Sequence, residues 1–151
     1  MLKRDPITVS HFGICVSDLE RSLQFYRDGL GFAAGGSVEL VNQCGNVMSL
    51  DNFTLVTQYL TLGTVTIELL WFRHSIDSHR AEHLRPMNHT GLTHLALAVQ
   101  DIDAVAQAIV SHGGKVYPAT KGSLATAEGM VELLYCSDPD NTRIELIHFP
   151  D

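Results

Sequence analysis

Basic residues are scarce: ten Lys and Arg stand against seventeen Asp and Glu in 151 residues, a formal charge of −7. With no Lys/Arg run, the chain offers no electrostatic footprint for nucleic acid or an anionic membrane, so neither is expected as a partner. Long apolar runs are missing too, and nothing approaches the roughly 20 residues needed to span a bilayer. The N-terminus, MLKRDPITVSHFG, lacks the apolar core and small-residue cleavage site of a secretory leader. Cysteine is sparse. Cys15, Cys44 and Cys136 are odd in number and far apart, which excludes a disulfide framework and a CxxC zinc knuckle. The chain therefore reads as a reduced, cytoplasmic protein. Charged residues make up only 18% and apolar residues 45%, enough for one domain with a real core. Histidine, by contrast, is plentiful, at eight.

The chain repeats itself once. Residues 11–33 lie over 94–116 without a gap, with His11/His94, Val16/Val99, Asp18/Asp101, Gln24/Gln107 and Gly31/Gly114 identical. Downstream, TVTIELLWF (64–72) aligns with NTRIELIHF (141–149). Two modules follow, about 7–73 and about 91–149, within a single domain over 1–151. The joint at 74–90 is polar, His-rich and contains Pro86, and reads as a linker.

Each module opens on an apolar strand (7–16, 92–99), then an Asp suited to cap a helix. The spacing predicts helices over about 19–28, burying Leu19, Leu23 and Tyr26, and about 102–112, burying Ile102, Val105, Ala106 and Ile109. Gly29 and Gly31, then Gly113 and Gly114, are expected to end them in left-handed conformations. Three strands follow in each half: 37–41, 53–62 and 64–72, then 115–117, 130–136 and 142–149. The unit is βαβββ, twice, and the class α+β.

Strand parity locates the polar residues. His11 shares a face with Gly13 and Cys15, and His94 with Ala96 and Ala98, while Phe12, Ile14, Val16 and Leu95, Leu97, Val99 point the other way, under the helices. The closing strands set Glu68 against Ile67 and Leu69, and Glu145 against Ile144 and Leu146. A lone carboxylate in such a strand is costly to desolvate without a partner. Two imidazoles and two carboxylates at matching repeat positions make an N₂O₂ site for one divalent ion, with zinc, nickel, cobalt, manganese, magnesium and iron all acceptable.

The pattern H-x-x-[IL]-x-V-x-D-[LI] opening both halves, IEL closing both, and SDPDNTRIEL before the last Glu resemble the glyoxalase/vicinal oxygen chelate (VOC) superfamily over about 7–149. The resemblance implies two βαβββ modules paired into a curved mixed sheet around a metal held by His11, Glu68, His94 and Glu145. It also implies a small-molecule substrate with adjacent oxygens, and a homodimer. The quartet is typical of isomerases, epimerases and lyases that abstract a proton next to a carbonyl, such as methylmalonyl-CoA epimerase and glyoxalase I. The epimerase ranks first because of IELL in the first module and the lack of a basic cluster for glutathione. Glu145 is the expected base. Asp51 lies where epimerases carry a second glutamate base, although Asp51-Asn52 also reads as a turn. The alternatives are a ring-cleaving dioxygenase, which uses two His and one Glu, and a non-catalytic module that binds an antibiotic or other small molecule.

Two further features stand aside from this site. His79–His83 spells H-x-x-E-H, a metalloprotease signature, but in a linker of a chain too short for such an enzyme. Cys15 reads as a space-filling residue, and His112 as a helix C-terminal residue complementing the dipole.

Overall fold

Alternating apolar residues and well-placed caps fold each half as a strand, a helix and a run of strands. The computed structural model describes residues 7–41, 48–73, 84–127 and 129–149. The first half consists of β1 (Phe12–Val16), α1 (Leu19–Leu23), β2 (Ala33–Val41), β3 (Thr54–Leu62) and β4 (Val65–Phe72). The second consists of β5 (Leu95–Ala98), α2 (Ile102–Ser111), β6 (Lys115–Val116), β7 (Gly122–Thr126), β8 (Gly129–Ser137) and β9 (Arg143–His148). The strands form two mixed sheets, ordered β1-β4-β3-β2 and β5-β9-β8-β6, with β7 also on β8. In both sheets the first strand runs parallel to the last, and the other pairs are antiparallel.

The α+β class and the tandem arrangement are as expected, and several details are not. The second half has four strands after its helix: where β2 runs unbroken, its counterpart is split into β6 and β7 by a 3₁₀ turn at Pro118–Thr120, since proline at the start of the turn cannot donate to the ladder. α1 does not continue as an α-helix but widens into a π-helix over Gln24–Gly29. The adjacent Phe25 and Tyr26, both fully buried, lie in this wider turn. Finally, Phe12 is 41% exposed rather than packed under the helix, and only Val16 of its face is buried.

Asp18 and Asp101 cap the helices as expected, accepting the N–H of Arg21 and Ala104, worth about 1 kcal/mol each. Gly31 and Gly113 take positive φ (79° and 85°) and end the helical segments. Gly29 and Gly114 serve differently from the expectation: both have ordinary φ but no room for a Cβ. At Gly114 a Cβ would lie 2.6 Å from both the Phe25 ring and the Ser137 carbonyl.

One core serves both modules. Phe25, Tyr26, Leu60, Ile67 and Leu69 of the first join Ile102, Ile109, Leu134, Ile144 and Leu146 of the second. Polar contacts fasten the seam at the SDPD turn. Tyr26 donates to Asp138 at 2.9 Å, inside the core. Asp140 accepts from the Ser17 amide and hydroxyl (2.9 and 2.6 Å) and from Arg21 (2.6 Å).

Candidate metal centre

Register brings the expected ligands together within each module. Gly13 pairs with Glu68 across β1–β4 and Ala96 with Glu145 across β5–β9, so the histidine preceding each first strand reaches the carboxylate on the open face. His11 Nε2 lies 3.2 Å from Glu68 Oε2, and His94 Nε2 lies 3.2 Å from Glu145 Oε2. The other ring nitrogen is engaged in both: Ser10 Oγ is 3.0 Å from His11 Nδ1, and Thr93 Oγ1 is 2.8 Å from His94 Nδ1. Either partner of each hydroxyl–Nδ1 contact can donate; when Nδ1–H donates to the hydroxyl, Nε2 carries the lone pair that a metal-ligating histidine uses.

The structure joins the four in two pairs, not in one cluster. Among the described residues, no three His, Cys, Asp or Glu side chains come close enough to share an ion. One chain thus presents two candidate half-sites, each with one imidazole and one carboxylate. Both are partly open to solvent, the histidines more than the glutamates. Asp51 is exposed in the bend before β3, beside Asn52 at φ 54°, and the structure does not bring it into either pair. The H-x-x-E-H segment and Cys44 lie outside the described residues.

Two tyrosines complete the half-sites and had no place in the sequence reading. Tyr59 pairs with Glu68 in the β3–β4 ladder, and Tyr135 with Glu145 in the β8–β9 ladder. Hydrogen bonding to Glu68 raises the Tyr59 phenol above its usual pKa; burial and then the bond to Glu145 do so for Tyr135. Nine positions separate Tyr59 from Glu68, but ten separate Tyr135 from Glu145. A gapless alignment sets Tyr59 over Cys136 and hides the match. Only the hairpin geometry reveals it.

Around these groups, Cys15 is exposed, with its thiol pKa raised by partial burial and by Asp140, so it is not a poised thiolate. His112 Nδ1 lies 2.8 Å from the Ala108 carbonyl, at the C-terminus of α2 as expected. A cavity of about 200 Å³ opens beside His94, with Phe12, Ile14, Ile67 and Leu95 among its apolar walls.

A duplicated βαβββ unit with a His–Glu pair on each open sheet defines a class. Residues 8–146 match the Glyoxalase/Bleomycin resistance protein/Dioxygenase superfamily, and the chain belongs to it. Lactoylglutathione lyase of Haemophilus influenzae is 29% identical over 140 residues, covering 92% of this chain and 90% of that one. A glyoxalase family protein from Bacillus cereus superposes with a TM-score of 0.77 at 22% identity, over 98% of this chain and 97% of its own. A fosfomycin resistance protein from Listeria monocytogenes shares the fold at 17% identity and TM-score 0.62, over 97% and 96% of the two chains. No helix among the described residues is long and apolar enough to cross a membrane.

Proposed function

We propose that this protein is a metal-dependent isomerase, epimerase or lyase that moves a proton next to a carbonyl. The observation that carries the reading is the repeated His–Glu pair, His11–Glu68 and His94–Glu145, each with Nε2 facing the carboxylate. The donor set fits a divalent ion: two imidazoles, each with a hydroxyl at Nδ1, and two carboxylates whose desolvation a cation offsets. A second copy of the chain supplies the missing half, setting the first module's pair against the second module's pair of its neighbour. This homodimer is supported by the edges of β1 and β5, which carry no ladder partner among the described residues, and by the exposed Ile7, Val9 and Leu92 that lead into them. The lactoylglutathione lyase relative moves the glyoxalase I-like reaction ahead of the epimerase.

When bound, the ion acts as a Lewis acid on the substrate's carbonyl and makes the neighbouring C–H more acidic. Glu145 is the base: one of its oxygens takes the proton from that carbon. It returns the proton to the adjacent carbon in a glyoxalase I-like reaction, whereas epimerisation would need a second acid on the opposite face of the same carbon. His94 stays in place through Thr93.

The test combines metal analysis with exchange in D₂O. The native protein is expected to carry about one ion per chain, and His11→Ala and Glu145→Gln to lose most of it. The hemithioacetal of methylglyoxal and glutathione, or methylmalonyl-CoA, is expected to exchange deuterium with the loaded protein. Metal-saturated Glu145→Gln is expected to lose exchange, because its amide cannot accept the proton. If that variant exchanges as fast as wild type, the base is Glu68 or Asp51. Full metal occupancy in both variants refutes the ligand set. Exchange with neither compound favours a binding module.

A further inference from the structure

Each half-site holds a tyrosine that touches both members of its pair. Tyr59 stands across the β3–β4 ladder from Glu68, which holds its phenol pKa up, and its ring meets the His11 imidazole edge-on, with centroids 5.5 Å apart at 84°. Tyr135 does the same for Glu145 and His94, at 5.8 Å and 77°. Both stand where the neighbouring strand is irregular. The β2–β3 register slips between Ala34 and Ser37, opposite Tyr59, and the 3₁₀ turn interrupts the edge beside Tyr135, where the Thr120 hydroxyl takes its backbone N–H at 3.0 Å. Both rings lie on the open face, partly exposed, rather than in the core.

We propose that Tyr59 and Tyr135 are positioning residues for the metal, one per half-site, each locking a carboxylate by its hydroxyl and an imidazole by its ring. The proposal rests on the reading of His11, Glu68, His94 and Glu145 as the ligands. A glutamate loses several side-chain rotations on binding an ion, and a partner that has already fixed it lowers that cost. The hydroxyl is suited to the task because it is neutral. A lysine or arginine there would hold the carboxylate as well, but its charge would oppose the cation. Ser10 and Thr93 fix the remaining ring nitrogens, so every ligand in both half-sites has an outer partner.

Cobalt(II) is the probe, added to metal-free full-length protein, with affinity read by chelator competition and geometry by the visible absorption of the bound ion. Tyr59→Phe and Tyr135→Phe keep the ring and remove only the hydroxyl. Each is expected to weaken cobalt binding about 10-fold and to alter the visible band, with the thermal midpoint of the metal-free protein unchanged. Tyr117→Phe is the control. It removes a hydroxyl from the same sheet that contacts Ser137 Oγ at 3.1 Å, and is expected to bind like wild type. Affinity within twofold of wild type and an unaltered spectrum in both half-site variants overturn the proposal while leaving the ligand assignment standing. An equal loss in Tyr117→Phe also overturns it. A wild-type protein that binds no cobalt removes the ligand assignment, and the proposal falls with it.

Discussion

Asp138 is a buried carboxyl at the seam between modules. Burial raises its pKa above the ordinary value of 3.8, against hydrogen bonds from Thr142, Tyr26 and Asp140 that lower it. The folded protein therefore holds this proton to a higher pH than the unfolded chain does. The group favours folding below the ordinary carboxyl value, and that contribution disappears as pH rises through the folded value. Asp138→Asn keeps an oxygen for the Asp140 and Thr142 amides (2.9 and 2.7 Å) and offers its own amide to the Tyr26 oxygen. Wild type is expected to lose stability relative to this variant as pH rises above about 4. Urea midpoints between pH 3.5 and 7 check this, and parallel curves refute it. His11, Glu68, His94 and Glu145 were legible because an alternating strand makes a lone polar residue conspicuous. Asp138 and Tyr135 were not: their partners lie across a seam or a hairpin of unequal length, and periodicity records neither.

Among the elements, the interrupted edge of the second sheet is the most informative. Thr120 stands in for a strand there: its hydroxyl donates to the Tyr117 carbonyl at 2.6 Å and accepts the Tyr135 N–H. Thr120→Val keeps the shape and strands that N–H, at an expected cost of about 1–3 kcal/mol and with faster amide exchange at Tyr135. Exchange at wild-type rate would show that the turn does not hold β8. At the end of α2, Gly114→Ala is expected to be more damaging, because the new Cβ meets backbone as well as side chains. Loss of more than ~2 kcal/mol in urea unfolding is the expectation. The caps and the α2 face were readable because i, i+3, i+4 spacing and a capping Asp are local signals. The π-turn and the split strand were not, since each is settled by what the segment packs against.

At the scale of the molecule, the fold buries a single core across both modules while the two His–Glu pairs remain apart. The tandem repeat was visible in the sequence. That one chain holds the quartet as two separated pairs was not, because a repeat fixes what each module contains and leaves open how modules meet. Light scattering at micromolar concentration is expected to give about twice the 16.6 kDa chain mass, and a particle of one chain's mass refutes the dimer.

The separated pairs also carry a genetic consequence. In a dimer whose centres each draw one pair from either subunit, a His11→Ala chain alone spoils both centres, and so does a His94→Ala chain. Mixed and reassembled, the two form hybrids in which one centre carries both lesions and the other carries none. Two inactive alleles would then complement each other within one cell, and a recessive defect in either half of the chain could be masked by a defect in the other.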